Sequence, residues 1–303
     1  MADPTPHRAG WTFRPVPPTP RSITELIRAG TLDAELAATV WVLLEGRVPL
    51  IVTAEAGGAG KTTLLHALLD LLPAGVRTRE LLGTFEAWDW LPQASELGWR
   101  VPAPAPAATS DIRPDTTILL APELSDHLPG YTWGEHARIA IRAASIGYGL
   151  AATIHGDRLE DVLEQLRRPP VGADDDELSR LGVVLVLRRV DRPAGARRVV
   201  AAHYIRPVTR DEHGHVQRLG PAVLTTWDAS TDRFEHFGWG VTPELARRVG
   251  RKAGDLELEI DRRRAHLQRL VVDGVTGLEE TRRALATYEP LPSDTIPANR
   301  GTT

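Results

Sequence analysis

The sequence of 303 residues contains no cysteine. This absence excludes disulfide bonds, zinc sites built on thiolates and cysteine nucleophiles. The sequence also lacks an apolar run of the ~18 residues that would suggest a transmembrane helix. Its N-terminal stretch, MADPTPHRAGWTFRPVPPTP, has no hydrophobic signal segment. Together these absences favour a cytoplasmic protein.

An excess of positive charge is also missing. The formal net charge is −4 at pH 7, and the isoelectric point is about 6.2. No global basic field would therefore attract a polyanion, and we expect no nucleic-acid partner.

Lysine is nearly absent. Of the 36 basic residues only Lys61 and Lys252 are lysines, and the others are arginines. Arginine presents a rigid planar fork, whereas lysine carries a compact charge on a flexible stem that can reach a phosphate. Lys61 lies in the glycine-rich segment AEAGGAGKTTLL (54–65), which indicates that this position requires a lysine.

The segment 54–65 matches the Walker A phosphate-binding pattern except at its first glycine, where the chain has Glu55. The apolar run VPLIVT (48–53) predicts a buried strand before the segment, and TTLLHALLDLL (62–72) predicts a helix after it. A strand, a glycine-rich loop and a helix in this order form the context in which such a loop binds phosphate.

Each part of this loop has a predicted task. Backbone N–H groups and the positive end of the following helix can hold a phosphate. Lys61 would bridge the β- and γ-phosphates of ATP, and the Thr62 hydroxyl would ligate Mg²⁺. The predicted nucleotide-binding residues are Ala56, Gly57, Gly58, Ala59, Gly60, Lys61, Thr62 and Thr63.

Three further apolar runs predict buried strands, at 116–121, 150–155 and 181–187. The segments 133–145 and 159–167 between them predict helices. Strands that alternate with helices indicate an α/β fold with a parallel sheet.

Two chemically able side chains follow these predicted strands. Glu123 comes after the run 116–121, and His155 ends the run 150–155. Ligands of open α/β sheets bind at the carboxyl ends of the strands. A glutamate there can orient or deprotonate an attacking water. His155 could sense a γ-phosphate, although a structural role is the alternative.

Three further groups of residues have a structural explanation. Trp88, Trp90 and Trp99 are predicted to pack locally. His213 and His215 are predicted to lie in a hairpin turn rather than bind metal, and the arginine run 262–264 is predicted to form a solvated helix face.

The composition divides the chain into segments of different character. The predicted segments are a Pro-rich disordered tail (1–21), an α/β core (22–205) with a Pro-rich loop at 101–110, a β-hairpin extension (206–240), a C-terminal helical segment (241–288) and a tail (289–303).

In this order, the motifs resemble those of the type II/type IV secretion ATPase superfamily, and most closely its archaeal branch, which drives the archaellum and archaeal-type pili. The resemblance covers about residues 23–290. It rests on four segments, which are similar to the family's phosphate-loop region (30–73), its Walker B segment RPDTTILLAPELSD (113–126), its His box GYGLAATIHGDRLEDVLEQLRRPP (147–170) and its C-terminal helices (256–290).

The resemblance implies a RecA-like P-loop NTPase core, followed by short antiparallel strands and C-terminal helices. It implies that Glu123 is the catalytic glutamate, that His155 is the His-box histidine, and that Glu86, retained in the acidic-box segment LGTFE (82–86), is a third catalytic residue. It further implies ATP and Mg²⁺ as cofactors and a hexameric ring. This ring would act on a membrane platform protein that assembles a filament, at the inner face of the membrane.

The chain departs from the family pattern in several places. Only a short tail precedes residue 23, where the family has a large N-terminal domain, so we expect a truncated and partly divergent member. The acidic box lacks its leading acids, Pro122 and Ser125 replace the Gly and Arg that flank the Walker B glutamate, and Gln165 replaces an Arg.

These departures leave two functions open. One is a motor-type ATPase, and the other is a degenerate nucleotide-binding partner or regulatory subunit that forms a hetero-oligomer with a full-length homologue. A small-molecule kinase is disfavoured because no segment resembles an Arg-rich lid. Candidates for an arginine that a neighbouring subunit contributes are Arg113, Arg138 and Arg142, with surface solvation as the alternative for each.

Overall fold

The centre of the fold is an eight-stranded mixed sheet. The computed structural model describes residues 19–55, 57–100, 112–191, 194–211 and 213–292. In chain order the strands are β1 (Leu50–Ala54), β2 (Arg77–Glu80), β3 (Thr117–Leu124), β4 (Gly149–His155), β5 (Val183–Val190), β6 (Ala196–Tyr204), β7 (Thr209–Arg210), β8 (Val216–Gln217), β9 (Ala222–Asp228) and β10 (Arg233–His236). Their order across the sheet is β10-β9-β6-β5-β1-β4-β3-β2, and β7 pairs with β8 in a separate sheet.

Helices cover both faces of this sheet. Side-chain caps fix two helix starts, since Ser22 accepts a hydrogen bond from the Glu25 amide and Asp33 from the Leu36 amide. In the described part of the chain, no helix combines the length and the apolar character needed to cross a membrane. The helices are α1 (Ile23–Arg28), α2 (Ala34–Glu45), α3 (Lys61–Leu69), α4 (Glu135–Ala143), α5 (Leu159–Arg167), α6 (Asp175–Leu178), α7 (Thr242–Arg248), α8 (Ala253–Val272) and α9 (Leu278–Ala286).

Five neighbouring strands, β2, β3, β4, β1 and β5, are parallel. Successive residues of β1 enter different cores: Val52 packs with residues of α1, α2 and α3, and Ile51 packs with residues of α4 and α5. Burial on both faces explains the near-continuous apolar runs that predicted these strands. The predicted α/β class, with a parallel sheet that antiparallel strands and helices follow, is confirmed.

The antiparallel strands extend the same sheet. Strand β6 pairs with β5 on one side and β9 on the other, and β10 closes this edge. The region 206–240, predicted as a β-hairpin extension, therefore contributes two strands to the central sheet and the small β7–β8 hairpin. The domain limits themselves stay a prediction.

The buried Arg198 fastens this antiparallel edge to the rest of the molecule. Its guanidinium donates hydrogen bonds to both carboxylate oxygens of Asp232, at 2.8 and 3.0 Å, and to the carbonyl of Ala29 at 3.1 Å. The Arg198 hydrogen bonds, together with one from Trp227, lower the pKa of Asp232 to about 2.

The C-terminal helices pack on the core through α8, which lies against α2 and buries Leu256 and Leu267. The prediction of a solvated helix face at 262–264 is wrong for Arg263, which is fully buried. Its side chain pairs with Glu259 and Glu45 instead. Sequence spacing within one helix could not reveal these partners, because α2 supplies one of them.

The predicted tryptophan packing is confirmed. Trp88 is fully buried, and its ring centroid lies 5.6 Å from that of Trp90 and 6.5 Å from that of Trp99. Some predictions lie outside the described residues: the tail at 1–18, the Pro-rich loop at 101–110 and the C-terminal residues 293–303.

Candidate nucleotide site

Three predicted site residues meet at the carboxyl end of the parallel strands. Glu123 lies on β3, His155 ends β4, and Lys61 begins α3 directly after the loop that follows β1. Strand β4 lies between β3 and β1, and Ala54 at the end of β1 pairs with His155. The parallel arrangement brings all three side chains to one edge of the sheet.

The glycine-rich loop turns directly into α3. Gly58, with φ of +73°, and Gly60, with φ of +100°, adopt left-handed conformations, and Gly60 is the N-cap of α3. Glycine accepts these angles without steric cost. The first backbone N–H groups of α3 have no partner within the helix and can bind an anion.

Glu55, in place of the first glycine of the pattern, has an exposed side chain, so it does not obstruct the turn. Among the other predicted binding residues, Ala59 is buried, and Thr62 and Thr63 are half-buried in the first turn of α3. Ala56 lies outside the described residues.

Lys61 points into the group that β3 and β4 provide. Its side chain is only 8% exposed, and its Nζ lies 3.5 Å from Glu123 Oε2 and 3.4 Å from His155 Nδ1. Burial lowers the pKa of Lys61, while the charge and the hydrogen bond of Glu123 oppose that shift. A phosphate anion would replace Glu123 as the partner of this ammonium group.

Glu123 is buried, and its two carboxylate oxygens have different surroundings. Oε2 accepts a hydrogen bond from the Thr153 hydroxyl at 2.6 Å, and the same hydroxyl lies 2.5 Å from the carbonyl of Pro122. Oε1 is buried and has no hydrogen-bond partner among the described residues. A buried acceptor without a partner is costly, and Oε1 is free to accept a proton from a bound water.

His155 joins the loop to this carboxylate. Its Nδ1 lies near the Lys61 ammonium and 3.3 Å from the carbonyl of Glu55, and its Nε2 lies 3.8 Å from Glu123 Oε1. The two Nδ1 contacts require opposite tautomers, because the ammonium only donates and the carbonyl only accepts. With Nδ1 as acceptor, the proton sits on Nε2 and faces Glu123.

Glu86 lies in a different set of contacts. It is buried, its Oε2 accepts from the Leu82 amide at 3.1 Å, and its Oε1 accepts from Trp90 Nε1 at 2.8 Å. Arg79 lies 3.8 Å from Oε1 and stacks on the Trp90 ring. The described contacts of Glu86 thus join it to β2 and the segment after it, and none joins it to Lys61, Glu123 or His155.

The three arginines considered as contributions to the site of a neighbouring subunit form different ion pairs. Arg138 and Arg142 both pair with Glu177, and Arg142 also donates to the Leu97 carbonyl. Arg113 is exposed and pairs with Asp115. It precedes β3 and therefore lies at the amino end of this strand, whereas Glu123 lies near its carboxyl end.

Sequence reasoning missed two residues of this region, Thr153 and Arg197. Thr153 supports Glu123, and a polar residue inside the apolar run LAATIH was a signal that could have identified it. Arg197 lies far from the loop in the sequence, yet its Nη2 donates a hydrogen bond to the Gly58 carbonyl at 3.3 Å. No local pattern reveals that contact.

No protein-family model matches the chain. Two uncharacterized proteins of Methanocaldococcus jannaschii are similar to it in sequence. MJ0900 is 25% identical over 279 residues, which are 89% of this chain and 49% of the relative. MJ1287 is 26% identical over 177 residues, which are 55% of this chain and 62% of the relative. The chain thus spans about half the length of the first relative and less than two thirds of the second.

Three solved structures are similar to parts of the chain. The VirB11 ATPase from the Brucella suis type IV secretion system, in complex with sulphate, is 21% identical over 54% of this chain and 51% of its own, with a TM-score of 0.34. The Legionella pneumophila ATPase DotB is 11% identical over 91% of this chain and 68% of its own, with a TM-score of 0.34. The Yersinia pseudotuberculosis ATPase DotB is 13% identical over 90% and 63%, with a TM-score of 0.32. These TM-scores are low, so the function must be inferred from the residues of this chain.

Proposed function

We propose that the chain binds ATP at the loop 56–63 and hydrolyses it to ADP and phosphate. The observation that carries this proposal is the free, buried Oε1 of Glu123, held beside Lys61 and His155 at the end of a glycine-rich loop. A carboxylate oxygen in this position can accept the proton of a water that attacks a terminal phosphate.

Each side chain has a defined task in this proposal. Lys61 leaves Glu123 and binds the β- and γ-phosphate oxygens, and its departure makes the carboxylate of Glu123 a stronger acceptor. The attacking water forms the new P–O bond and passes its proton to Glu123 Oε1, and ADP leaves with the electrons of the broken bond. Once Lys61 has left, the remaining contact of His155 Nδ1 with the Glu55 carbonyl places the proton on Nδ1, and Nε2 becomes an acceptor beside Glu123 Oε1 and the attacking water. The catalytic role that the resemblance gives Glu86 stays a prediction.

The residues also fit Mg²⁺ as a cofactor. The described residues contain no group of three or more His, Cys, Asp or Glu that could hold a metal ion. Mg²⁺ commonly takes only one or two protein ligands and otherwise binds phosphate oxygens and water. The half-buried Thr62, next to Lys61, would supply the hydroxyl ligand, and the ion would neutralise charge on the phosphates.

The motif resemblance extends the proposal to a cytoplasmic motor subunit of secretion or type IV pilus type. In that case the chain acts as a homo-oligomeric, hexameric ring or in a hetero-oligomer with a full-length homologue, against a platform protein at the inner face of the membrane. A nucleotide-binding regulatory partner with little hydrolysis is the second candidate. Ser125 favours it, because this residue stands where the family has an arginine and its buried hydroxyl has no hydrogen-bond partner among the described residues.

The deciding experiment measures ATP binding and turnover per subunit with Mg²⁺ over a range of protein concentrations. Lys61→Ala removes the phosphate-binding ammonium, and we expect the Kd for ATP to rise at least about tenfold. Lys252→Ala is the matched control, because it removes the only other lysine of the chain. Equal ATP affinity of Lys61→Ala and the parent would contradict the loop assignment.

Turnover separates the two candidate functions. Turnover per subunit that rises with protein concentration, and that Lys61→Ala abolishes, supports an ATPase site completed between subunits. ATP binding with no turnover at any concentration supports the regulatory partner.

A further inference from the structure

Arg197, the second residue of β6, lies directly over the glycine-rich loop. A Cβ added to Gly60 would lie 2.9 Å from Arg197 Cδ and 3.0 Å from its Nε, so the arginine stem covers this glycine. Arg197 Nη2 donates to the Gly58 carbonyl at 3.3 Å, and the buried Nε has no hydrogen-bond partner among the described residues. None of the carboxylates in the described residues forms an ion pair with it.

The order of the strands places Arg197 on the opposite side of the loop from Glu123 and His155. Strand β1 and its loop lie between β4 on one side and β5 on the other, with β3 beyond β4 and β6 beyond β5. Glu123 and His155 come from the β3–β4 side, and Arg197 comes from the β6 side. A nucleotide that lies across the loop with its terminal phosphate at Glu123 extends toward the β5–β6 side, where Arg197 lies.

A cavity of about 480 Å³ adjoins Arg197 on this side. It lies between α1, the first turn of α3 and residues 194–197 at the start of β6. Its wall includes the cationic Arg21, the polar Thr31 and Thr63, and the apolar Leu26, Ala29 and Leu187. The exposed wall is more polar than apolar, so it offers hydrogen-bond partners for a ribose and contact for a base at its few apolar side chains.

We infer that Arg197 is a nucleotide-binding residue that the chain supplies to its own loop, and that it contacts the phosphate nearest the ribose. The guanidinium leaves the Gly58 carbonyl and directs its unpaired Nε–H and Nη2–H toward that phosphate, since a planar fork suits phosphate oxygens. The nucleoside then occupies the adjoining cavity. This inference rests on the proposed function and adds a residue that lies outside the glycine-rich motif.

Calorimetric titration of the full chain with Mg²⁺–ATP and with inorganic pyrophosphate tests this assignment. Pyrophosphate supplies only the two phosphates that the loop and Lys61 hold. We expect Arg197→Gln to raise the Kd for ATP about tenfold or more and to change the Kd for pyrophosphate less than about twofold. Arg197→Lys should restore part of the ATP affinity. Arg233→Gln, which removes an exposed arginine from β10, is the matched control.

The outcomes separate this inference from the proposed function. An equal loss of ATP and pyrophosphate affinity in Arg197→Gln would overturn the inference, because the arginine would then only shape the loop. Parent-like ATP affinity in Arg197→Gln, together with lost affinity in Lys61→Ala, would also overturn it and leave the proposed function intact. Parent-like ATP affinity in Lys61→Ala would remove the proposed function itself.

Discussion

Two buried glutamates, one at the loop edge of the sheet and one in the C-terminal helices, have opposite surroundings. Glu259 on α8 is fully buried, its Oε1 accepts from Arg263 and Tyr288, and its Oε2 accepts from the Leu291 amide. Glu123 is nearly as buried, yet its Oε1 has no hydrogen-bond partner in the described part of the chain.

The difference separates structural from chemical use of a buried charge. A carboxylate with partners on both oxygens is compensated in the folded state and holds helices together. In Glu123, Lys61 and Thr153 compensate Oε2, but the missing hydrogen bond at Oε1 adds a cost to the folded state. The position of this carboxylate beside a glycine-rich loop explains why the fold retains it, since the free oxygen can do chemistry there.

Removal of the charge at Glu123 should produce the largest effect. We expect Glu123→Gln to lower kcat about 100- to 10,000-fold, because the amide cannot accept the proton of the attacking water. The Kd for ATP should stay within a few-fold, because Lys61 and the loop remain. Rapid-quench measurement of ATP hydrolysis, beside equilibrium binding, checks both numbers. Turnover equal to that of the parent would show that Glu123 is not the base.

Removal of the partner of Glu259 should act on stability instead. We expect Arg263→Met to lower the free energy of unfolding by about 3–5 kcal/mol, because it leaves a buried carboxylate without its main partner. Arg264→Ala is the control, since its pairs with Glu35 and Asp261 are partly exposed and should be worth less than about 1 kcal/mol. Chemical denaturation followed by circular dichroism measures the difference. Equal stability of the two variants would contradict a structural role for Arg263.

The same contrast shows what the sequence could predict. Lys61, Glu123 and His155 follow apolar runs, and parallel strands bring their carboxyl ends to one edge, so local pattern and one topological rule suffice. Strand β2, RTRE, has no apolar alternation. Among the described strands it lies at the edge of the sheet and pairs with β3 alone, so its side chains are largely exposed. Its pairing partner, and not its own residues, makes it a strand.

Long-range contacts account for the other omissions. The partners of Arg263 include Glu45, 218 residues away, and the contact of Arg197 with Gly58 spans 139 residues. From sequence alone, a charged residue is predicted to be exposed to solvent, because the elements that bury it are not yet known. Such residues are found only when the packing of separate elements is known.

Glu86 offers an intermediate test, because it is buried like Glu123 and paired like Glu259. We expect Glu86→Gln to lower the free energy of unfolding by about 1–2 kcal/mol, since the amide keeps one acceptor but weakens the contacts to Leu82 and Trp90. Thermal unfolding and ATP turnover are measured together. A tenfold or larger loss of kcat at unchanged stability would instead support the catalytic role that the resemblance implies.

The smallest expected effect concerns a pair at the surface between β10 and α2. Burial would lower the pKa of His236, but its 2.7 Å contact with Asp33 and the charges of Asp33 and Glu35 outweigh this and raise the pKa above 6.5. A raised pKa stabilises the fold fully below the unfolded-state value and loses this contribution as pH rises through the folded-state value. We therefore expect the free energy of unfolding to fall by about 1 kcal/mol from about pH 6 to about pH 9.

His236→Gln should remove this pH-dependent part, because glutamine does not titrate, and His66→Gln, at an exposed position on α3, should retain it. Urea denaturation at several pH values gives the slope for each variant. Asp33 also caps α2 through the Leu36 amide, so Asp33→Asn tests the same pair from the other side. If the slopes of the parent and His236→Gln coincide, the pH dependence arises elsewhere, and the Asp33–His236 pair only positions β10.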